Sequence, residues 1–237
     1  MPAARFEIAP ELNFFLSPEM RERCEFYLFE AGQSIKHLTE SLGIPHTEVG
    51  QVMVNGLASG LGSFTQDGDR VVILPNAPGQ GLPAAGPKFV LDNHLGRLSA
   101  YLRMLGFDCI YRNDLQDEEL AQIASAEERI LLSRDRRLLM RRTVHYGYCL
   151  RSLNSRRQVI EVLHRYHLGQ QIAPFRRCLR CNALLEPVNK ETVLDRLEPL
   201  TRMYYEEFHR CPNCGQVYWK GSHYEHMLAL IEEINHS

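Results

Sequence analysis

No apolar run in this 237-residue chain exceeds about five residues, Val71 to Leu74 with Pro75. A membrane-spanning helix needs roughly 20, so none is expected. The start, Met1-Pro-Ala-Ala-Arg-Phe-Glu-Ile8, has no basic stretch followed by an apolar one, and no secretory signal is read there. An even, well-spread cysteine set is also missing. There are seven cysteines, four of them in two tight pairs. That argues against a secreted disulfide framework and for a metal in a reducing, cytoplasmic setting. The 44% hydrophobic and 24% charged residues exclude a mainly disordered or fibrous chain.

The net charge of −2 hides a division. Residues 1–87 hold 5 basic and 10 acidic side chains, residues 88–180 hold 17 and 10, and residues 181–237 hold 5 and 9. The central third is therefore basic (+7) between acidic flanks of −5 and −4. A basic region attracts polyanions, because neutralising phosphates releases condensed counterions. An arginine-rich solvated surface would look the same, so the bias needs chemistry beside it.

Residues 75–87 hold four prolines and three glycines in thirteen positions, which no helix or central strand sustains. This reads as a linker. Before it, Arg5 to Ile8, Cys24 to Phe29, Gln51 to Val54 and Arg70 to Leu74 read as strands. Ser34 caps a helix through Leu42. A small α+β domain with a mixed sheet is expected over residues 1–75, with 76–87 as linker.

After the linker the order is strand, helix, strand, helix. Lys88 to Leu91, Phe107 to Tyr111, Arg129 to Ser133 and Val144 to Leu150 read as strands, with helices between them and a long amphipathic helix from Ser155 to Leu168. That order implies a mainly parallel α/β sheet over 88–172. Open parallel sheets bind ligands beyond the carboxyl ends of their strands. Asp92 ends the first strand and Asp135 follows the third, while Asp114 and Asp117 lie where the second helix begins. Converging carboxylates are oxygen ligands of the kind Mg²⁺ or Mn²⁺ takes. Such an ion activates water and offsets charge developing on a phosphate. Asp114, Asp117 and Asp135 are each equally readable as helix caps, whereas Asp92, directly after Phe-Val-Leu, faces burial unless something charged meets it, and the joint arrangement favours a metal site. Arg97 and Arg103 on the first helix, and Arg134 and Arg136 beside Asp135, are candidates for phosphate contacts or for structural ion pairs.

Cys178-Leu-Arg-Cys181 and Cys211-Pro-Asn-Cys214-Gly215 stand 29 residues apart. Two residues between thiols turn both sulfurs inward on a knuckle, and two knuckles complete a tetrahedral structural zinc site. Residues 173–237 are expected to form a zinc ribbon with a C-terminal helix. His209, His223 and His226 are spare nitrogens nearby. Trp219 either stacks a base or packs the ribbon. Cys24, Cys109 and Cys149 are expected in the core.

Two resemblances extend these readings. Gly43-Ile-Pro-His-Thr-Glu48, Val54-Asn-Gly56 and Asp67-Gly-Asp-Arg-Val71 running into Pro75 resemble the ubiquitin-like β-grasp domains of the sulfur-carrier (ThiS/MoaD) type. Here the last strand runs on into the linker, so the terminal glycine that such carriers activate is absent, and a docking or structural module with a possible protein partner is implied. Phe89 to Leu98, Tyr101 to Asp108, Asp114 to Leu120 and Ile130 to Asp135 resemble the Mut-seven C-terminal ribonuclease family, a PIN-like fold fused to a zinc ribbon. The resemblance implies a metal-dependent ribonuclease acting on RNA, with Asp92, Asp117 and Asp135 holding Mg²⁺ or Mn²⁺. Many such domains carry another acid after the fourth strand, where Cys149 to Ser155 offers none; Asn154 or Ser152 is the substitute considered. The competing readings are a non-catalytic RNA-binding adaptor, using the basic face and ribbon, and a phosphotransfer domain with Asp92 as nucleophile.

Overall fold

The computed structural model describes residues 1–235. The first elements are β1 (Ala3–Ile8), α1 (Pro18–Arg23), β2 (Tyr27–Leu28), α2 (Ile35–Ser41), β3 (Val49–Val54), β4 (Leu57–Ser59) and β5 (Arg70–Pro75). They form a five-stranded sheet in the order β2-β1-β5-β3-β4. β1 runs parallel to β5, and every other pairing is antiparallel. With α2 in the crossover, this is the β-grasp arrangement.

Local chemistry explains most of it. Ser34 accepts the His37 N–H and caps α2. Asn55 (φ 51°) and Gly56 (φ 83°) turn β3 into β4 in the left-handed geometry of a two-residue hairpin. Phe6, Ile35, Leu38, Ile44, Val71 and Ile73 make the core. The strand expected from Cys24 to Phe29 shrinks to two residues. Ser17 and Pro18 start α1 instead, and Cys24–Phe26 continues it as a 3-10 turn.

The next elements are β6 (Lys88–Leu91), α3 (Gly96–Met104), β7 (Asp108–Ile110), α4 (Asp117–Ala126), β8 (Ile130–Ser133), α5 (Arg136–Leu139), β9 (Gly147–Cys149) and α6 (Ser155–Tyr166). Then follow β10 (Glu186–Val188), α7 (Pro199–Tyr204), β11 (Phe208–Arg210), β12 (Val217–Trp219) and α8 (Ser222–Asn235). The alternation of strand and helix is present, and both β6–β7 and β8–β9 pair in parallel. The fold class is α/β with a mainly parallel sheet, preceded by the β-grasp domain. No helix among the described residues is long and apolar enough to cross a membrane.

The chain forms two compact units, residues 1–86 with 116–150, and residues 87–115 with 151–237.

In the first unit, one end of the β-grasp domain packs on the segment that carries β8, α5 and β9. His46 Nε2 lies 2.7 Å from the Val144 carbonyl and Nδ1 2.7 Å from Glu40 Oε1. Glu48 is buried and accepts the Cys149 N–H. The Arg136 guanidinium donates to the carbonyls of Phe14 and Phe15 and lies over both rings. Gly43 (φ 96°) sits where a Cβ would come within 3.1 Å of the Phe15 carbonyl oxygen, so only glycine fits that turn without strain.

In the second unit, Phe89, Val90 and Leu91 of β6 are fully buried with Leu98 and Leu102 of α3. Strands β10, β11 and β12 form an antiparallel sheet. Val193, Leu197, Phe208 and Val217 form its core, with Trp219 packed against them.

Candidate functional site

Three sequence positions supply the acids. Asp92 directly follows β6 and is 9% exposed; its carbonyl accepts the Leu95 N–H in the turn that opens α3. Asp135 lies two residues beyond β8 and is exposed. Its Oδ1 accepts the Arg137 N–H at 2.7 Å, and its own N–H is held by Ser133 Oγ, so it caps α5. Both acids therefore stand at the carboxyl ends of parallel strands. Asp117 is the first residue of α4 and is exposed.

Neither Asp114 nor Asp117 caps α4. Gln116 does, in a reciprocal box with Glu119. Asp114 is gripped by both forks of Arg112, which hold its carboxyl below the usual range. The neighbouring Glu118 pairs with Arg141, tying the first turn of α4 to the residues after α5.

Arg134, Asp135, Arg136, Arg137 and Met140 line an open cleft of about 670 Å³, and Gly43 of the β-grasp domain supplies part of its wall. Arg134 and Arg137 are exposed beside the Asp135 carboxylate.

Two of the expected phosphate-binding arginines are corrected. Arg136 is committed to the Phe14 and Phe15 carbonyls. Arg103 is 5% exposed, with Nε and Nη2 on the Cys109 carbonyl and Nη1 on those of Leu179 and Arg180. Burial holds its guanidinium below its ordinary pKa. Its fork satisfies three carbonyls and so cannot turn to a phosphate. Arg97 on α3 is exposed.

Asn154 caps α6 by accepting the N–H groups of Arg156 and Arg157, and Ser152 Oγ accepts the Asn154 N–H. Both substitutes for a missing acid are thus engaged in the backbone. Instead α6 delivers Glu161, whose two oxygens accept the N–H groups of Arg151 (2.8 Å) and Ser152 (3.2 Å). The signal for Glu161 was present only as an acid one and a half turns into an amphipathic helix.

The four cysteines do come together. The Sγ atoms of Cys178, Cys181, Cys211 and Cys214 lie within 4.8 Å of one another, with 3.5 Å for Cys178–Cys214 and 3.3 Å for Cys181–Cys211. A tetrahedral zinc with bonds of about 2.3 Å requires sulfurs about 3.8 Å apart, so the cluster fits. The electrostatics agree. Burial pushes the Cys178 thiol up, but hydrogen bonds from Tyr218 and the backbone outweigh it and bring it to about 6. Cys214 accepts help from the Gln216 amide, yet burial and its thiol neighbours push it up to about 12. Four thiolates cannot share this space without a cation. The cluster can hold a structural zinc, with no open position for catalysis.

The knuckle is seated on β7. Asn182 (φ 69°) accepts the Cys109 N–H and donates to Asp108, which also pairs with Arg177. Cys24, Cys109 and Cys149 are buried. His209 is half-buried against Phe175. His223 and His226 lie outside the described side chains.

Comparison with known proteins gives two family matches. A family model described as "Mut7-C RNAse domain" matches residues 87–231, and one described as "Mut7-C ubiquitin" matches residues 1–80. No curated protein and no solved structure matches the chain.

Proposed function

The chain belongs to the Mut7-C RNAse domain family, with the family's ubiquitin-like domain at its N-terminus, and on that premise we propose that it is a ribonuclease dependent on Mg²⁺ or Mn²⁺. The observation that carries the reading is the cleft after β8, where the Asp135 carboxylate stands between exposed Arg134 and Arg137 at the carboxyl end of a parallel strand.

Asp92, Asp117 and Asp135 are the proposed ligands. They offer hard oxygen donors and no sulfur or nitrogen, which suits Mg²⁺ or Mn²⁺ and not zinc. Asp135 Oδ2 and the Asp117 carboxylate have no partner among the described residues. When bound, such an ion would activate water and neutralise charge building on the phosphate.

The chain's own groups do the rest. Arg134 and Arg137 hold a phosphate beside Asp135 through charge-assisted hydrogen bonds. The Arg137 N–H fixes the Asp135 rotamer, so the carboxylate is oriented before substrate arrives. Arg97 adds a further phosphate contact on the exposed side of α3. The ubiquitin-like domain serves as a fixed wall of the cleft, and its surface away from β8, α5 and β9 is the part left for a protein partner.

The test is cleavage of labelled single-stranded and structured RNA, with Mg²⁺, Mn²⁺ or neither, by wild type, Asp92→Asn and Asp135→Asn. Metal-dependent cutting that falls at least 100-fold in both variants is the expected result. Salt-sensitive RNA binding without cutting, unchanged or tighter in the amide variants, would leave the RNA-binding adaptor standing in its place.

A further inference from the structure

The second unit holds a cavity unrelated to the acids. It measures about 80 Å³ and is lined by Met104, Phe175, Arg177, Tyr218, Trp219 and Tyr224 among others. A single buried water needs roughly 10–15 Å³ on this scale, so the space is several waters large.

Three features set it apart from a packing defect. Its walls are unusually aromatic. Phe175 and Tyr224 meet edge to face at 5.2 Å, and Trp219 is braced from behind by Phe208 and Tyr205 at 6.4 and 6.5 Å. Second, Phe175 is held at φ 60°, a conformation that costs a bulky residue free energy and persists only where the surroundings impose it. Third, the wall contains an unused donor. Arg177 gives Nη1 to the Asn182 carbonyl and Nη2 to Asp108, but its buried Nε–H has no partner among the described residues. A buried, unpaired cationic N–H is costly.

We propose that this cavity takes one unpaired nucleobase of the RNA. A base brings a π-face for the aromatic walls, and the phosphates on either side of it bring charge that arginines at the rim can meet. An aliphatic side chain or a lipid tail would fill the volume without the charge that the neighbouring arginines call for. Arg176 and Arg180, both exposed and next in sequence to Arg177 and Leu179, supply charge for the flanking phosphates. The zinc site has a direct part in the geometry. Tyr218 Oη bridges Cys178 Sγ (3.1 Å) and the Leu179 N–H (3.0 Å), so the metal-bound knuckle sets the position of that ring. The proposal rests on the RNA reading above and narrows the substrate to RNA with at least one unstacked base.

Trp219 is the chain's one tryptophan and reports on the cavity directly. The zinc-loaded full chain, without added Mg²⁺, is titrated with a short single-stranded RNA, with the same backbone made abasic, and with a blunt duplex. The expected result is quenching of Trp219 by the single strand alone. Tyr224→Ala should then bind that strand roughly ten-fold more weakly, at unchanged zinc content, with affinity restored in Tyr224→Phe. Equal affinity for the abasic strand, with Trp219 unperturbed, overturns the base pocket while RNA binding and cleavage survive. Base-dependent quenching without cleavage when Mg²⁺ is added supports the pocket and overturns the ribonuclease reading. No RNA binding under any condition overturns both.

Discussion

Glu48 Oε1 accepts the backbone N–H of Cys149 at 2.6 Å, inside the protein and across 101 residues of chain. A residue of the ubiquitin-like domain thus closes the hydrogen bonding at the last residue of β9. Glu48→Leu leaves that N–H unpaired in the interior and should lower stability by about 1–3 kcal/mol. Glu48→Gln keeps a carbonyl oxygen in place and should recover most of the loss. Urea midpoints of the three proteins check this; equal losses in both variants would mean that the carboxylate acts by its charge alone.

Arg136 and its two neighbours separate structure from RNA contact. Arg136→Ala removes the bonds to Phe14 and Phe15 and the two ring contacts, and should cost about 1–3 kcal/mol. It should speed hydrogen exchange around residues 14–16 and 43–48 while leaving the salt dependence of RNA binding alone. Arg134→Ala and Arg137→Ala should do the opposite, each reducing the salt slope by about one. A reduced slope in Arg136→Ala would return that residue to the RNA surface.

Removing zinc should undo the ribbon and little else. With a strong chelator, about four thiols become reactive, Trp219 shifts toward its exposed spectrum, and the ellipticity of the 1–150 segment persists. Cys214→Ser should lower zinc affinity in the same direction. Retention of the Trp219 spectrum after metal loss would show that the apolar core of β11 and β12 suffices.

Arg103→Met tests a buried guanidinium that bonds carbonyls at the junction of β7 and the first knuckle. The Cys109, Leu179 and Arg180 carbonyls lose their donor, and about 3 kcal/mol of stability should go with it. Zinc should dissociate faster, because the knuckle loses its seat. Unchanged zinc release would place the anchoring in Asn182 instead.

One pH effect follows from β1 and β5. Arg70 grips Glu7 with both forks and holds its carboxyl below the usual 4.5. A carboxylate depressed in the folded state contributes stability above its unfolded value and loses it as pH falls through the folded one. Arg70→Gln should therefore be slightly less stable than wild type at pH 7 and indistinguishable from it near pH 2. The pair is on the surface, so the difference should shrink in high salt. A gap that stays constant with pH would assign the effect to packing of the arginine stem.

Much of this architecture is legible in the sequence alone, and for a common reason: it depends on neighbours in sequence. The proline-rich linker, the Ser34 cap, the Asn55-Gly56 hairpin, the alternation of β6 to α6 and the Cys-x2-Cys knuckles are all set within a few residues. Backbone dihedrals, hydrogen-bond caps and ligand bite are short-range properties, and residue type alone constrains them. What the sequence leaves open is long-range. Arg103 and Arg136 read as either phosphate contacts or structural partners because a guanidinium on a helix looks the same in sequence whatever it meets. Arg103 reaches the Leu179 carbonyl 76 residues away, beside the nearby Cys109, and Arg136 the Phe15 carbonyl 121 residues away. Glu48 likewise meets the Cys149 N–H only across 101 residues, and only the packed chain leaves the Arg177 Nε without a partner among the described residues. Hydrogen bonds inside a protein are strong enough to decide a side chain's role, yet they act over three ångströms. Which groups come that close is a property of the packed chain and not of any stretch of it.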